Sequence, residues 1–234
     1  MKKFLIPALL TAAFLFLPVS AQAQKVSILG DSYSTFQGYI PEGNATWYFN
    51  PYKPERTDVT SVEQTWWWQV IERNGYTLEV NDSWSGSTIS YAGYNYADFS
   101  DRAFSTRIHR LGQPDILLIF GGTNDSWAGV PVGKFKYGLI RRKDLYTYRP
   151  GLAKLLKGVR KMYPDTKVLF IINDGLREEI VSSTQTICNR YKVPYVDLQG
   201  IDKMSGHPSI AGMKQIADQV DAALKALPAQ NTKR

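Results

Sequence analysis

Two serines, Ser32 and Ser34, stand just after an apolar run in the stretch Ser27–Phe36, SILGDSYSTF. A serine hydroxyl becomes a working nucleophile beside a general base, most often histidine. The chain has two histidines. His109, in Arg107-Ile108-His109-Arg110, lies in a helical stretch before an apolar strand and reads as a surface residue. His207, in Ser205-Gly206-His207-Pro208, lies between the last strand-like run and the final helix. Acyl transfer also needs donors aimed at the oxygen that gains charge. Asn124 offers a side-chain amide, and Gly86 and Ser32 offer backbone N–H groups. Glycine lets a backbone approach a ligand closely. Gly, Ser, Asp and Asn are also ordinary turn residues, so none of these short stretches decides the chemistry alone.

The elements that must position these residues alternate between apolar runs and helical patterns. Strands are predicted over 25–29, 76–80, 115–120, 167–172 and 194–198. Helices are predicted over 61–74, opened by a capping-box pattern Ser61-Val62-Glu63-Gln64, and over 150–162, 176–191 and 209–227. Runs such as DILLIF (115–120) and KVLFII (167–172) are continuously apolar, the mark of strands covered on both faces. Strand–helix alternation then implies a parallel sheet with right-handed crossovers, a three-layer α/β/α sandwich of five strands. Ligands of open parallel sheets bind beyond the carboxyl ends of the strands. That rim collects Gly30-Asp31-Ser32, Asn81–Ser87, Gly121–Asp125, Asn173-Asp174 and Asp202–Pro208. The long stretch Gln37–Thr60, rich in aromatics and proline, is predicted to be irregular, and loops of that length are often functional.

Gly30-Asp31-Ser32-Tyr33-Ser34, Gly86, Gly122-Thr123-Asn124-Asp125 and His207-Pro208 resemble, in order, the four motif blocks of the SGNH/GDSL hydrolases. The resemblance spans residues 25 to about 225. It implies Ser32 as nucleophile, His207 as base, and Ser32 N–H, Gly86 N–H and Asn124 as the oxyanion hole. It also implies a flavodoxin-like sheet ordered 2-1-3-4-5 and ester hydrolysis without metal or cofactor. The family's acidic residue usually stands three positions before the histidine, where this chain has Met204. The nearest acid is Asp202, expected to complete the triad; Asp174 is a rival, and a backbone carbonyl would leave a dyad.

Lys2 and Lys3, the apolar segment Phe4–Val19 and Ala21-Gln22-Ala23 form a secretory signal pattern over residues 1–23, too short and wrongly flanked for a resident membrane span. The expected product is a secreted or periplasmic protein, residues 24–234, folded as one domain with no stable membrane anchor. The formal charge of +7 comes from dispersed basic residues, concentrated locally at 134–143 and 154–161. With no nucleic-acid motif it reads as a solvated surface. The single cysteine, Cys188, sits on an apolar helical position and reads as a buried thiol.

The expected activity is a serine esterase removing short acyl groups, acetyl above all, from a small-molecule or carbohydrate ester. Competing classes are a glycan-binding protein stacking sugars on Trp47, Tyr48, Phe49, Tyr52, Trp66, Trp67, Trp68, Trp84 and Trp127, a lipase or lysophospholipase, and a mononucleotide binder using Asp31–Thr35. The last lacks a glycine-rich fingerprint.

Overall fold

A computed structural model describes residues 22–49 and 55–228. The signal-peptide pattern therefore falls almost wholly outside the described residues, as does Tyr52. Five strands, β1 (Lys25–Gly30), β2 (Thr77–Ser83), β3 (Ile116–Phe120), β4 (Lys167–Ile172) and β5 (Tyr195–Asp197), pair in the order β2-β1-β3-β4-β5, every pair parallel. The helices are α1 (Trp66–Asn74), α2 (Phe104–Arg107), α3 (Thr123–Trp127), α4 (Tyr148–Met162), α5 (Glu178–Tyr191) and α6 (Ile210–Ala226).

Alternate strand residues supply two cores. Ile116, Leu118 and Phe120 pack with Trp66, Trp67, Val70 and Ile216 on the α1/α6 side. Leu117 and Ile119 pack with Leu152, Leu155, Leu156 and Ile187 on the α4/α5 side. This is the expected α/β/α sandwich, and the continuous apolar runs are the reason both faces carry helices. Cys188 is fully buried in the second core, where burial pushes its thiol up to about 12.

Three elements differ from expectation. The capping box Ser61–Gln64, in which Gln64 Oε1 accepts the Ser61 N–H at 3.1 Å, closes only a single 3-10 turn; α1 starts afresh with Thr65 as its N-cap. β2 runs through the polar residues Asn81, Asp82 and Ser83, which pair with Ile28, Leu29 and Gly30. A bulge at Val26/Ser27 breaks its alternation, so neither apolar content nor period marks this half of the strand. Asn81 is nonetheless satisfied, donating to Ser34 O at 2.9 Å. The third is a two-stranded hairpin, β6 (Lys203–Met204) and β7 (His207–Pro208), closed by Ser205 and Gly206 with φ of 50° and 78°. Two consecutive positive φ values define the tight turn that suits a two-residue hairpin.

Candidate active site

β1, β2 and β3 end level, with Gly30 opposite both Ser83 and Phe120. The chain leaves β1 in a single 3-10 turn, Ser32–Ser34, capped by Asp31, whose Oδ1 accepts the Tyr33 N–H at 3.0 Å. Ser32 sits at the start of that turn. His207 is delivered from the opposite side by the β6–β7 hairpin. Its Nε2 lies 2.9 Å from Ser32 Oγ, and its Nδ1 lies 3.2 Å from the Ser205 carbonyl oxygen. With the proton on Nδ1, that nitrogen donates to Ser205 O and Nε2 accepts the serine proton, the tautomer a general base requires.

Two phenols fix the hairpin. Tyr33 Oη donates to Gly206 O at 2.6 Å and Tyr48 Oη donates to Pro208 O at 2.9 Å. Burial pushes His207 down to about 4; the Ser205 carbonyl pulls the other way, and the Lys203 charge lowers it further.

After β2, residues 84–87 form a turn in which Ser87 N–H donates to Trp84 O at 3.1 Å, with Gly86 at φ 81°. A positive φ at the third turn position is the type II pattern, which glycine adopts without strain. Asn124, in the first turn of α3, donates from Nδ2 to Ser87 O at 2.9 Å and accepts the Tyr94 hydroxyl on Oδ1 at 2.8 Å. These two bonds fix which end of the amide is the donor and tie α3 to the Gly86 turn. Asp125 holds the same loop by accepting Ile89 N–H at 2.8 Å and Ser90 N–H at 3.0 Å. Burial pushes its carboxyl up to about 6, and that of Asp31 up to about 7.

The family described as GDSL-like lipase/acylhydrolase matches residues 24–224. The chain belongs to that family. The chain shares 50% identity with the crystal structure of a GDSL-like lipase from Bacteroides ovatus, at a TM-score of 0.86, over 88% of this chain and all of that one. A GDSL-like lipase from Bacteroides uniformis is 48% identical, at a TM-score of 0.86, over 88% of this chain and 97% of that one. An acetyl xylan esterase from Butyrivibrio proteoclasticus, 14% identical over 88% of this chain and 64% of that one, shares the fold at a TM-score of 0.53. No curated protein matches the sequence at a significant level.

In this GDSL-like ester hydrolase the sequence motifs are brought to one rim, with one correction. Asp202 does not face His207. Its exposed carboxylate accepts the Ser209 hydroxyl, and its N–H donates to Gln215 Oε1 at 2.7 Å. The hairpin is the reason: Lys203 pairs with Pro208 and Met204 with His207. Asp202 thus lies at the open end beside the α6 N-cap, while His207 lies next to the turn. Asp174 is engaged as well, accepting Ile201 N–H at 3.0 Å and pairing with Lys203 Nζ. The third alternative, a backbone carbonyl, is what the ring meets.

Of the aromatics weighed as a sugar platform, Trp66, Trp67 and Tyr48 are fully buried, whereas Trp127 is exposed. His109 is exposed on a 3-10 turn. The residue that motif reading missed is Arg107, two positions before it and fully buried. Its guanidinium donates to Gly30 O and Ser87 Oγ, both at 3.1 Å, and pairs with Asp82 Oδ1 at 3.2 Å. It thereby joins the end of β1 to the Gly86 turn. Nothing in its basic surroundings distinguishes it in sequence.

Proposed function

We propose that the protein is a serine esterase of the SGNH type that removes short acyl groups, acetyl foremost, from carbohydrate. The observation that carries the reading is the 2.9 Å contact of Ser32 Oγ with His207 Nε2 at the rim. Ser32 Oγ attacks the ester carbonyl carbon as His207 Nε2 takes its proton. The carbonyl π electrons move onto oxygen, received by Asn124 Nδ2 and the N–H groups of Ser32 and Gly86. The tetrahedral species collapses, the ester C–O bond breaks, and Nε2–H protonates the departing alcohol. Water, deprotonated by the same nitrogen, then attacks the acyl-serine, returning the acid and free Ser32. Burial keeps the His207 ring neutral before attack, so Nε2 is open to the proton, while the charge it then gains must be stabilised by its surroundings.

The carbohydrate assignment is supported by polar aromatic side chains around this rim. Trp127 and Tyr94 are exposed, and Tyr94 bonds Asn124 directly. It is supported further by relatives of the same fold, among them a carbohydrate esterase and an acetyl xylan esterase. The leader pattern supports export, with residues 1–23 removed; N-terminal sequencing of protein from culture medium or periplasm should find Gln24 first.

The test is a series of p-nitrophenyl esters of rising acyl length, beside acetylated polysaccharides assayed for released acetate. Acetyl should be preferred, and Ser32→Ala should abolish turnover on every substrate. Preference for long acyl chains would replace the carbohydrate reading with a lipase, and turnover retained by Ser32→Ala would remove the nucleophile.

A further inference from the structure

His207 must carry a positive charge during attack, yet no carboxylate among the described residues bonds its ring. Asp202 and Asp174 are held by Ser209 and Lys203. What the ring meets instead is aromatic. Trp47 lies flat on it, with centroids 3.5 Å apart and planes 11° from parallel. Trp127 and Tyr33 approach at 5.5 and 5.2 Å, and Tyr48 stands edge-on at 6.5 Å. Of the charged groups nearby, Lys203 on the hairpin is paired with Asp174, Arg56 lies 5.8 Å from the Trp47 ring centre, and Asp31 and Asp58 act on the flanking Tyr33 and Tyr48 rather than bonding the imidazole.

Trp47 is not a loosely placed residue. Its backbone N–H donates to Thr35 Oγ1 at 2.9 Å, and the Thr35 hydroxyl donates to the carbonyl of Ser32 itself at 3.0 Å. The next residue anchors the hairpin through Tyr48 Oη and Pro208 O. Nucleophile, indole and base are thus linked through the long segment after β1. A cation over an indole face is stabilised by the ring quadrupole, more so when water is excluded, and Trp47 is held where the imidazolium forms.

We propose that Trp47 is the positioning residue that takes the place of the triad acid. It fixes the plane of His207 and stabilises the imidazolium through its π face, while Ser205 O fixes the tautomer. This rests on the Ser32–His207 reading above. The role is electrostatic, and simple truncation confuses it with rehydration of the ring, so the probe must keep the shape of the indole.

The experiment places 5-fluoro-, 5,7-difluoro- and 5,6,7-trifluorotryptophan at position 47 by stop-codon suppression, with Trp47→Phe beside them. Fluorine withdraws density from the π face and leaves packing nearly unchanged. Two quantities are read: kcat and KM on p-nitrophenyl acetate, and the His207 titration followed by ring NMR in a Ser32→Ala background. The expected result is a graded fall in kcat across the series, roughly ten-fold by the trifluoro member, with KM steady. The His207 pKa should fall in the same order. A flat kcat and a flat pKa across the series would reduce Trp47 to packing and overturn the proposal. If the unmodified protein hydrolyses no ester, the enzyme reading fails, while the titration series still decides whether Trp47 stabilises the charged ring.

Discussion

His207 turns its two nitrogens to different partners: Nε2 to the Ser32 hydroxyl at 2.9 Å and Nδ1 to the Ser205 carbonyl at 3.2 Å. The carbonyl belongs to the first residue of the hairpin turn, and the histidine follows the second. The tautomer of the ring is therefore set within the hairpin rather than by an acid from elsewhere in the fold.

Asp202→Asn should leave kcat within about two-fold of the parent, because the carboxylate bonds Ser209 and not the ring. Its effect on stability, read from urea denaturation, should stay below about 1 kcal/mol, because the amide oxygen can still accept the Ser209 hydroxyl. A loss of ten-fold or more in kcat with unchanged folding would restore the triad.

Asn124→Ala should lower kcat by about 10²–10³, the usual cost of one oxyanion donor. Tyr94→Phe should cost less, roughly three- to ten-fold, because the amide keeps its Ser87 bond while losing the Tyr94 hydroxyl that fixes its other end. Steady-state kinetics on a short ester measures both. An undiminished kcat in Asn124→Ala would make that residue only part of a turn.

His207 is pushed down to about 4, so activity should stay level from neutral pH and fall only as pH drops towards 4. An ordinary histidine base would give an acid limb near 6.5. The pH profile of kcat/KM decides. Stability carries the same sign. The unfolded ring binds its proton near 6.5 and the folded one only near 4, so this contribution is whole above 6.5 and is lost as pH falls from there towards 4. Asp31 has the opposite sign. Its carboxyl is pushed up to about 7 by burial, so its contribution is whole at low pH and is lost as pH rises towards 7. Asp31→Asn should gain stability relative to the parent between pH 4 and 7, and a pH-independent difference would contradict this.

Arg107→Met should destabilise the fold by about 3–5 kcal/mol, because it leaves the buried Asp82 carboxylate without a countercharge, with Asn44 as its remaining donor, and takes a donor from Gly30 O and from Ser87 Oγ. Chemical denaturation reads the loss. A change below about 1 kcal/mol would mean that water replaces the guanidinium.

Local signals made most of the architecture readable. DILLIF and KVLFII mark buried parallel strands by composition alone, and β4 lies at its predicted bounds. The topology implied by that alternation puts Ser32, Gly86, Asn124 and His207 on one rim, because strand ends and loop residues are fixed by chain order. The half of β2 that runs through Asn81–Ser83 was hidden, since its polar side chains are satisfied by one another and by Ser34, Asn44 and Arg107 from elsewhere in the fold. The partner of the base was hidden for a related reason. Spacing pointed to Asp202, but a two-residue turn at Ser205-Gly206 folds the intervening chain into a hairpin and carries that acid to its far end. Trp47, Tyr94 and Arg107 reach the site across 160, 30 and 77 residues of sequence, from His207, Asn124 and Gly30 respectively. Contacts at that separation leave no periodic or motif trace in the chain; packing around the finished sheet brings them together.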